Sequence, residues 1–181
     1  QASEELRLAS KGIDTLDYVV GLFYLDQRYR ITNAQGGGLF GGATLAQRAS
    51  QDNEAYALFG QLDYHLTDQW TLTAGGRYSR EDKDFTNQPV GYPNSMDYSH
   101  HWSDFSPKLG VSYRYSPRLL FYGQWAQGFR SGGYNGRAGT FTSAGPFGSE
   151  EVDNYEAGVK SDLADGRLRL NAAAFYSKYD D

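Results

Sequence analysis

The chain contains no cysteine, which excludes disulfide staples, cysteine-ligated zinc and thiol catalysis. An oxidising compartment is compatible with that absence and not proved by it. Long hydrophobic runs are also missing. The longest nearly unbroken apolar stretch, from Tyr18 to Leu25, is far too short to cross a bilayer as a helix. No positively charged start followed by an apolar stretch stands at Gln1, so no signal peptide is expected. There is no basic run, and the formal net charge of −5 argues against a nucleic-acid partner. Proline is scarce, with 5 among 181 residues, against 22 Gly and 15 Tyr. That balance suits strands and turns better than helices.

What is present is alternation. In residues 54–66, Tyr56, Leu58, Leu62, Tyr64 and Leu66 fall on one face, while Ala55, Ala57, Phe59, Gln61, Asp63 and His65 fall on the other. A tight Thr67-Asp68-Gln69 turn follows. The next arm then sets Trp70, Leu72, Ala74 and Tyr78 against Thr71, Thr73, Arg77 and Ser79. Side chains of a strand alternate with period two, so each arm separates an oily surface from a wet one. Continued along the chain, the pattern predicts eight antiparallel strands in four hairpins. They cover residues 4–10, 16–32, 54–66, 70–85, 102–115, 118–130, 152–163 and 167–180. Short links (11–15, 67–69, 116–117, 164–166) alternate with long ones (33–53, 86–101, 131–151). The short links carry turn chemistry, Asp165-Gly166 supplying a positive φ and Pro117 a preset one.

Several of these arms exceed a typical globular strand and reach the roughly nine to eleven residues that a tilted strand needs to cross hydrocarbon. The opposite faces carry charge, as in Asp104, Ser106, Lys108, Ser112 and Arg114 against Phe105, Leu109, Val111, Tyr113 and Tyr115. Unpaired charges are costly in a dry core and cheap in a hydrated lumen. Tyr64, Trp70, Tyr78, Tyr113 and Tyr115 lie towards strand ends, where aromatic girdles sit. The fold expected is all-β, an antiparallel transmembrane β-barrel segment with short turns facing the periplasm and long loops outside the cell. Two alternatives stay open on periodicity. One is a complete small eight-stranded outer-membrane barrel serving as anchor, adhesin or enzyme scaffold. The other is a soluble ligand-binding β-barrel with an apolar interior and a polar exterior.

Catalytic signals are weak. Asp97, His100, His101 and Asp104 suggest a metal site at first sight, but neighbouring side chains of a strand point oppositely, and a solvated polar loop is expected there. Arg80-Glu81-Asp82-Lys83-Asp84 is read as a solvated outer rim rather than an acid–base pair. No Ser, His and Asp spacing fits nucleophilic catalysis. Gly36-Gly37-Gly38 and Gly132-Gly133 precede no helix start and are not phosphate loops. No catalytic, cofactor-binding or metal site is expected.

Three stretches carry a resemblance. The first runs from Phe59-Gly60-Gln61-Leu62-Asp63-Tyr64 through Leu72-Thr73-Ala74-Gly75-Gly76-Arg77-Tyr78. The second joins Phe105-Ser106-Pro107-Lys108-Leu109-Gly110 to Gly128-Phe129-Arg130-Ser131-Gly132-Gly133-Tyr134-Asn135. The third pairs Val152-Asp153-Asn154-Tyr155-Glu156-Ala157-Gly158-Val159-Lys160 with Gly166-Arg167-Leu168-Arg169-Leu170-Asn171. Together they are similar to the barrel of TonB-dependent outer-membrane receptors, with Arg130 and Tyr134 where that pattern has Lys and Phe. The resemblance implies an active importer of ferric siderophores or other scarce small-molecule nutrients, set in outer-membrane lipid of a Gram-negative bacterium. It also implies a 22-stranded barrel filled by an N-terminal plug and driven by the partner TonB. No plug or TonB-binding box is present, so residues 1–181 are expected to form a partial barrel with two open edges that neither inserts nor transports alone.

Candidate substrate contacts sit where lumen meets exterior: Arg130, Tyr134, Asn135 and Arg137 following one strand, and His100, His101 and Trp102 capping another. Arginines suit an anionic ferric chelate, and aromatics stack on catechol or heterocyclic rings. The competing expectation is that Arg130 pairs with an acidic residue on a neighbouring strand. Asn154, Tyr155 and Glu156 are read as packing and register devices.

Overall fold

Alternating sequences become one continuous antiparallel sheet. The structure, a computed structural model, describes residues 1–10, 15–36 and 44–180. Link residues 11–14 and Gly37, Gly38, Gly41 and Gly42 of the sequence reading lie outside them. The strands are β1 (Ala2–Ala9), β2 (Leu16–Gly36), β3 (Thr44–His65), β4 (Trp70–Gln88), β5 (Met96–Ser116), β6 (Leu119–Arg130), β7 (Glu150–Leu163) and β8 (Leu168–Asp180). They lie side by side in chain order, leaving β1 and β8 as open edges. At the short-turn end the chemistry is local. The Thr67 hydroxyl accepts from the backbone N–H groups of Gln69 (3.2 Å) and Trp70 (3.1 Å), and Gly166 takes φ +83° between β7 and β8.

The two faces differ as a membrane wall requires. Leu58 (53% exposed), Leu22, Leu62, Leu72, Phe105 and Leu109 stand exposed on the outer face. The inner face carries a polar weave. Lys108 donates to Gln61 at 3.1 Å, Gln61 donates to Asp63 at 2.9 Å, and Thr73 donates to Asp63 at 2.5 Å. The Arg77 guanidinium lies 5.2 Å from the Phe23 ring centre and 5.8 Å from that of Phe59. This is the reverse of a soluble barrel, which hides its apolar side. Tyr24 and Tyr56 meet at 5.1 Å on the upper outer face, and Trp70 meets Tyr113 at 4.6 Å near the turns. From Tyr56 to Tyr64 the chain rises roughly 26 Å at about 3.3 Å per residue. A tilt of about 40° reduces that to about 20 Å, near the ~25 Å apolar band of membrane barrels. Leu58→Arg, inside this band, is expected to destabilise the intact barrel by about 2–4 kcal/mol. Arginine at inner-facing Ser106 is expected to cost far less. Equilibrium unfolding in lipid vesicles compares the two, and equal costs would contradict the assignment of faces.

The strands run further than the alternation indicated. The links expected at 33–53 and 86–101 are largely strand: β2 and β3 pair up to Gly36↔Thr44, and β4 and β5 up to Asn87↔Met96. Above the girdle both faces meet water, so the apolar alternation lapses there while the backbone ladder continues. Asp26, Arg28, Asp52, Glu54, Arg80 and Asp82 take the outer positions in that zone. The third link remains long, with a 3-10 turn at Thr142–Ala144 as its regular element. Residues 131–149 are called the strap below.

One ladder stops early. Between β5 and β6 the pairing runs from Ser116↔Leu119 to Lys108↔Ala126 and no further. The next residue of β5 is Pro107, which has no N–H to donate.

Candidate functional site

Alternation in the upper part of β4 puts Glu81, Lys83, Phe85 and Asn87 on the inner face, two residues apart. On β5, Tyr98, His100 and Trp102 follow the same rule. The strap folds back onto this surface. Gly133 and Phe147 pair across its neck, Gln47 donates to the Ala138 carbonyl at 2.6 Å, and Tyr98 donates to the Phe141 carbonyl at 3.1 Å. A small core results from Ala49, Phe85, Trp102, Tyr134, Ala138 and Ala144. Tyr134 (7% exposed) lies face to face with Phe85 (1% exposed), ring centres 4.9 Å apart and planes 3° from parallel. Trp102 meets Tyr134 edge-on at 6.1 Å, and Tyr98 approaches at 5.8 Å.

A cation fastens the neck. Lys83 donates from Nζ to Ser131 Oγ at 2.6 Å and to the Gly132 carbonyl at 2.7 Å. It pairs with Glu81 at 3.3 Å and stands 5.3 Å from the Trp102 ring centre. Ser131 donates onward to Glu81 at 2.6 Å. Gly132 is close-packed by necessity, since a Cβ there would overlap the Phe147 carbonyl oxygen and the Trp102 indole nitrogen. Burial raises the Tyr134 phenol above its ordinary pKa, with the Asp84 and Tyr98 charges adding to it, so the ring is neutral at physiological pH. One group stands out: Asn87 is fully buried, and among the described residues neither its amide nitrogen nor its amide oxygen has a hydrogen-bond partner.

The structure brings Tyr134 and Trp102 together, with His100 against Trp102 at 4.6 Å. His101 falls on the outer face opposite Asp82 in the ladder. Arg130 is exposed and pairs with Glu150 at 3.2 Å. Asn135 is exposed, its side chain accepting from the Arg137 backbone at 3.0 Å, and Arg137 is exposed beside it. His100, His101, Asp97 and Asp104 stand on strand β5, not on the expected loop, and the described residues form no group of three or more potential metal ligands. The run from Arg80 to Asp84 is likewise not one solvated rim. Arg80, Asp82 and Asp84 face outward, while Glu81 and Lys83 lie inward beneath the strap. Period-two spacing with Phe85 was the signal for Lys83, Glu81 and Asn87. Nothing in the sequence announced the fold-back that buries them.

Below the strap, a recess of about 380 Å³ opens on the inner face between Phe59, Gln61, Arg77, Ser106, Lys108 and Phe129. A larger groove of about 730 Å³ is walled by Leu6, Leu22, Tyr24, Tyr56, Leu58 and Tyr78. It belongs to the outer apolar face, on the opposite side of the sheet from the site.

A family model described as TonB dependent receptor-like, beta-barrel, matches residues 4–181. The pesticin receptor of Yersinia enterocolitica is 28% identical over 184 residues, covering 100% of this chain and 27% of that protein. The metal-pseudopaline receptor CntO of Pseudomonas aeruginosa is 30% identical over 133 residues, covering 72% and 18% respectively. Among solved structures, the ferric yersiniabactin uptake receptor FyuA of Yersinia pestis superposes with a TM-score of 0.84 at 27% identity, over 97% of this chain and 28% of that one. The siderophore receptor PiuA of Acinetobacter baumannii gives 0.74 at 16% identity, over 96% and 31%, a likeness of fold alone. The chain thus spans about a quarter of the length of the curated relatives it matches.

Proposed function

Because this chain belongs to the TonB-dependent receptor β-barrel family of the Gram-negative outer membrane, we propose that it forms one wall of an active importer of ferric siderophores or similarly scarce, bulky nutrients. The observation that carries this reading is the strap lying over an aromatic and cationic bed at the long-loop end of a polar inner wall. Such a bed is fixed on ladder-bonded strands at the inner face, while its cover is joined to it by side-chain bonds and packing alone. Likeness to receptors for yersiniabactin and pseudopaline supports a metal chelate as cargo. The work of transport falls to TonB, engaged through the receptor's N-terminal region outside this chain. The wall contributes binding and a wetted path and performs no bond chemistry.

The test is uptake of radioactive iron, supplied as a panel of ferric chelates, by cells carrying the intact receptor or lacking its gene. Receptor-dependent uptake that collapses without TonB or with a protonophore is expected. Uptake indifferent to the receptor for every chelate would refute the reading.

A further inference from the structure

We infer that Tyr134 is a built-in stand-in for an aryl group of the ligand, occupying an aromatic slot that a phenolate- or catecholate-bearing ring takes when the strap lifts. The inference rests on the receptor reading and specifies the cargo at that same site. Three observations converge on it.

First, the slot and its occupant belong to parts of unequal rigidity. Phe85, Tyr98 and Trp102 sit on β4 and β5, which are paired residue by residue along this stretch. Tyr134 arrives on a segment joined to the wall, among the described residues, by no ladder, only by side-chain hydrogen bonds from Lys83, Gln47, Tyr98 and Ser131 and by the packing of the small core. The stack of 4.9 Å and 3° with Phe85 is one that any planar aryl ring reproduces.

Second, Lys83 changes partners if the strap leaves. Its bonds to Ser131 and Gly132 go with the strap, while its ion pair with Glu81 and its place beside the Trp102 ring remain. An ammonium with freed donors at the slot selects a ring bearing an anionic oxygen over a plain hydrocarbon ring.

Third, Asn87 lies one inner-face position beyond Phe85, fully buried and with neither amide atom bonded to any described residue. A buried amide in that condition is rare in native proteins and calls for an explanation. The closed strap sets the small side chains of Ala138 and Ala144 in the adjoining core, and neither offers a polar atom. A ring carrying oxygen substituents supplies the missing partner. The arrangement therefore exchanges stacking for stacking and gives Asn87 a partner, set against the strap's own bonds to Lys83, Gln47 and Tyr98.

The probes are a ferric tris-catecholate complex and ferric desferrioxamine B, a hydroxamate with no aryl ring, titrated against the intact receptor in detergent by tryptophan fluorescence. Tyr134→Ala removes the competitor and is expected to tighten catecholate binding about tenfold while leaving the hydroxamate unchanged. Tyr134→Phe keeps the ring and is expected to bind as the parent does. Heat-modifiable migration checks that each variant folds, and Tyr134→Leu, which keeps volume without aromaticity, serves if the alanine variant does not. Catecholate binding that weakens, stays level or is absent in the ring-less variant, or that tightens equally for both probes, overturns the proposal. Iron uptake that ignores the receptor for every chelate would instead strike the importer reading, so the two failures are distinguishable.

Discussion

Replacing Lys83 with methionine in the intact receptor is expected to release the strap while leaving the barrel folded. Methionine keeps most of the aliphatic stem, so packing against Trp102 survives and the lost element is the ammonium. Lys83 is nearly buried, its side chain 10% exposed, and Glu81 retains 28% exposure. Breaking one partner out of a buried ion pair costs about 3–5 kcal/mol. Partial hydration of Glu81 and its remaining bond from Ser131 put the expected loss at the low end, about 3 kcal/mol. That shifts the ratio of lifted to closed strap by roughly a hundredfold, at about 1.4 kcal/mol per tenfold. Protease cleavage within residues 131–149 tracks the open population when reclosing is fast. It should rise steeply in K83M cells while heat-modifiable migration of the barrel stays as before. Unchanged cleavage would mean that the ammonium does not hold the neck.

The second large effect concerns the 181-residue chain on its own. Refolded into vesicles, it is expected to show no compact, faster-migrating form before boiling. β1 pairs on one side with β2, and β8 on one side with β7. Their free edges present rows of unpaired N–H and C=O groups. In hydrocarbon each such group costs several kcal/mol, and a strand's worth of them outweighs the gain from immersing one apolar face. Aggregation or edge-to-edge association is the expected fate. A clear mobility shift together with protease resistance would show that eight strands close by themselves, and would return the small-barrel reading to the front.

Legibility followed the solvent. Wherever lipid lies on one side and water on the other, as around Leu58, Leu62, Leu72 and Leu109, the alternation alone placed strand, face and short turn. Beyond Tyr24 and Tyr56 both sides are wet, and β2 to β5 continue for many residues that read as polar loop, including 44–53 and 86–88. Backbone pairing there leaves no mark in side-chain chemistry. At the site, Tyr134 and Trp102 are named from the sequence as aromatics able to stack on a ligand ring; the structure sets them against each other, and Tyr134 against Phe85, where the strap meets the wall. Lys83 and Asn87 are not so named, because a polar residue near a strand end looks hydrated until a distant segment covers it. Arg130 pairs with Glu150 of the neighbouring strand at the rim, as the competing expectation had it, and stays exposed.

Pro107 sets one further consequence. Below it, β5 and β6 are held at the fixed spacing of about 4.8 Å that a ladder imposes. Above it no ladder joins the two, and β5 meets the strap that continues from β6 through close packing such as Trp102 against Gly132. Among the seams of this sheet, the β5–β6 seam above Pro107 is therefore the one whose spacing side chains rather than a ladder dictate, so substitutions in the strap and its bed can alter it without disturbing the paired strands below.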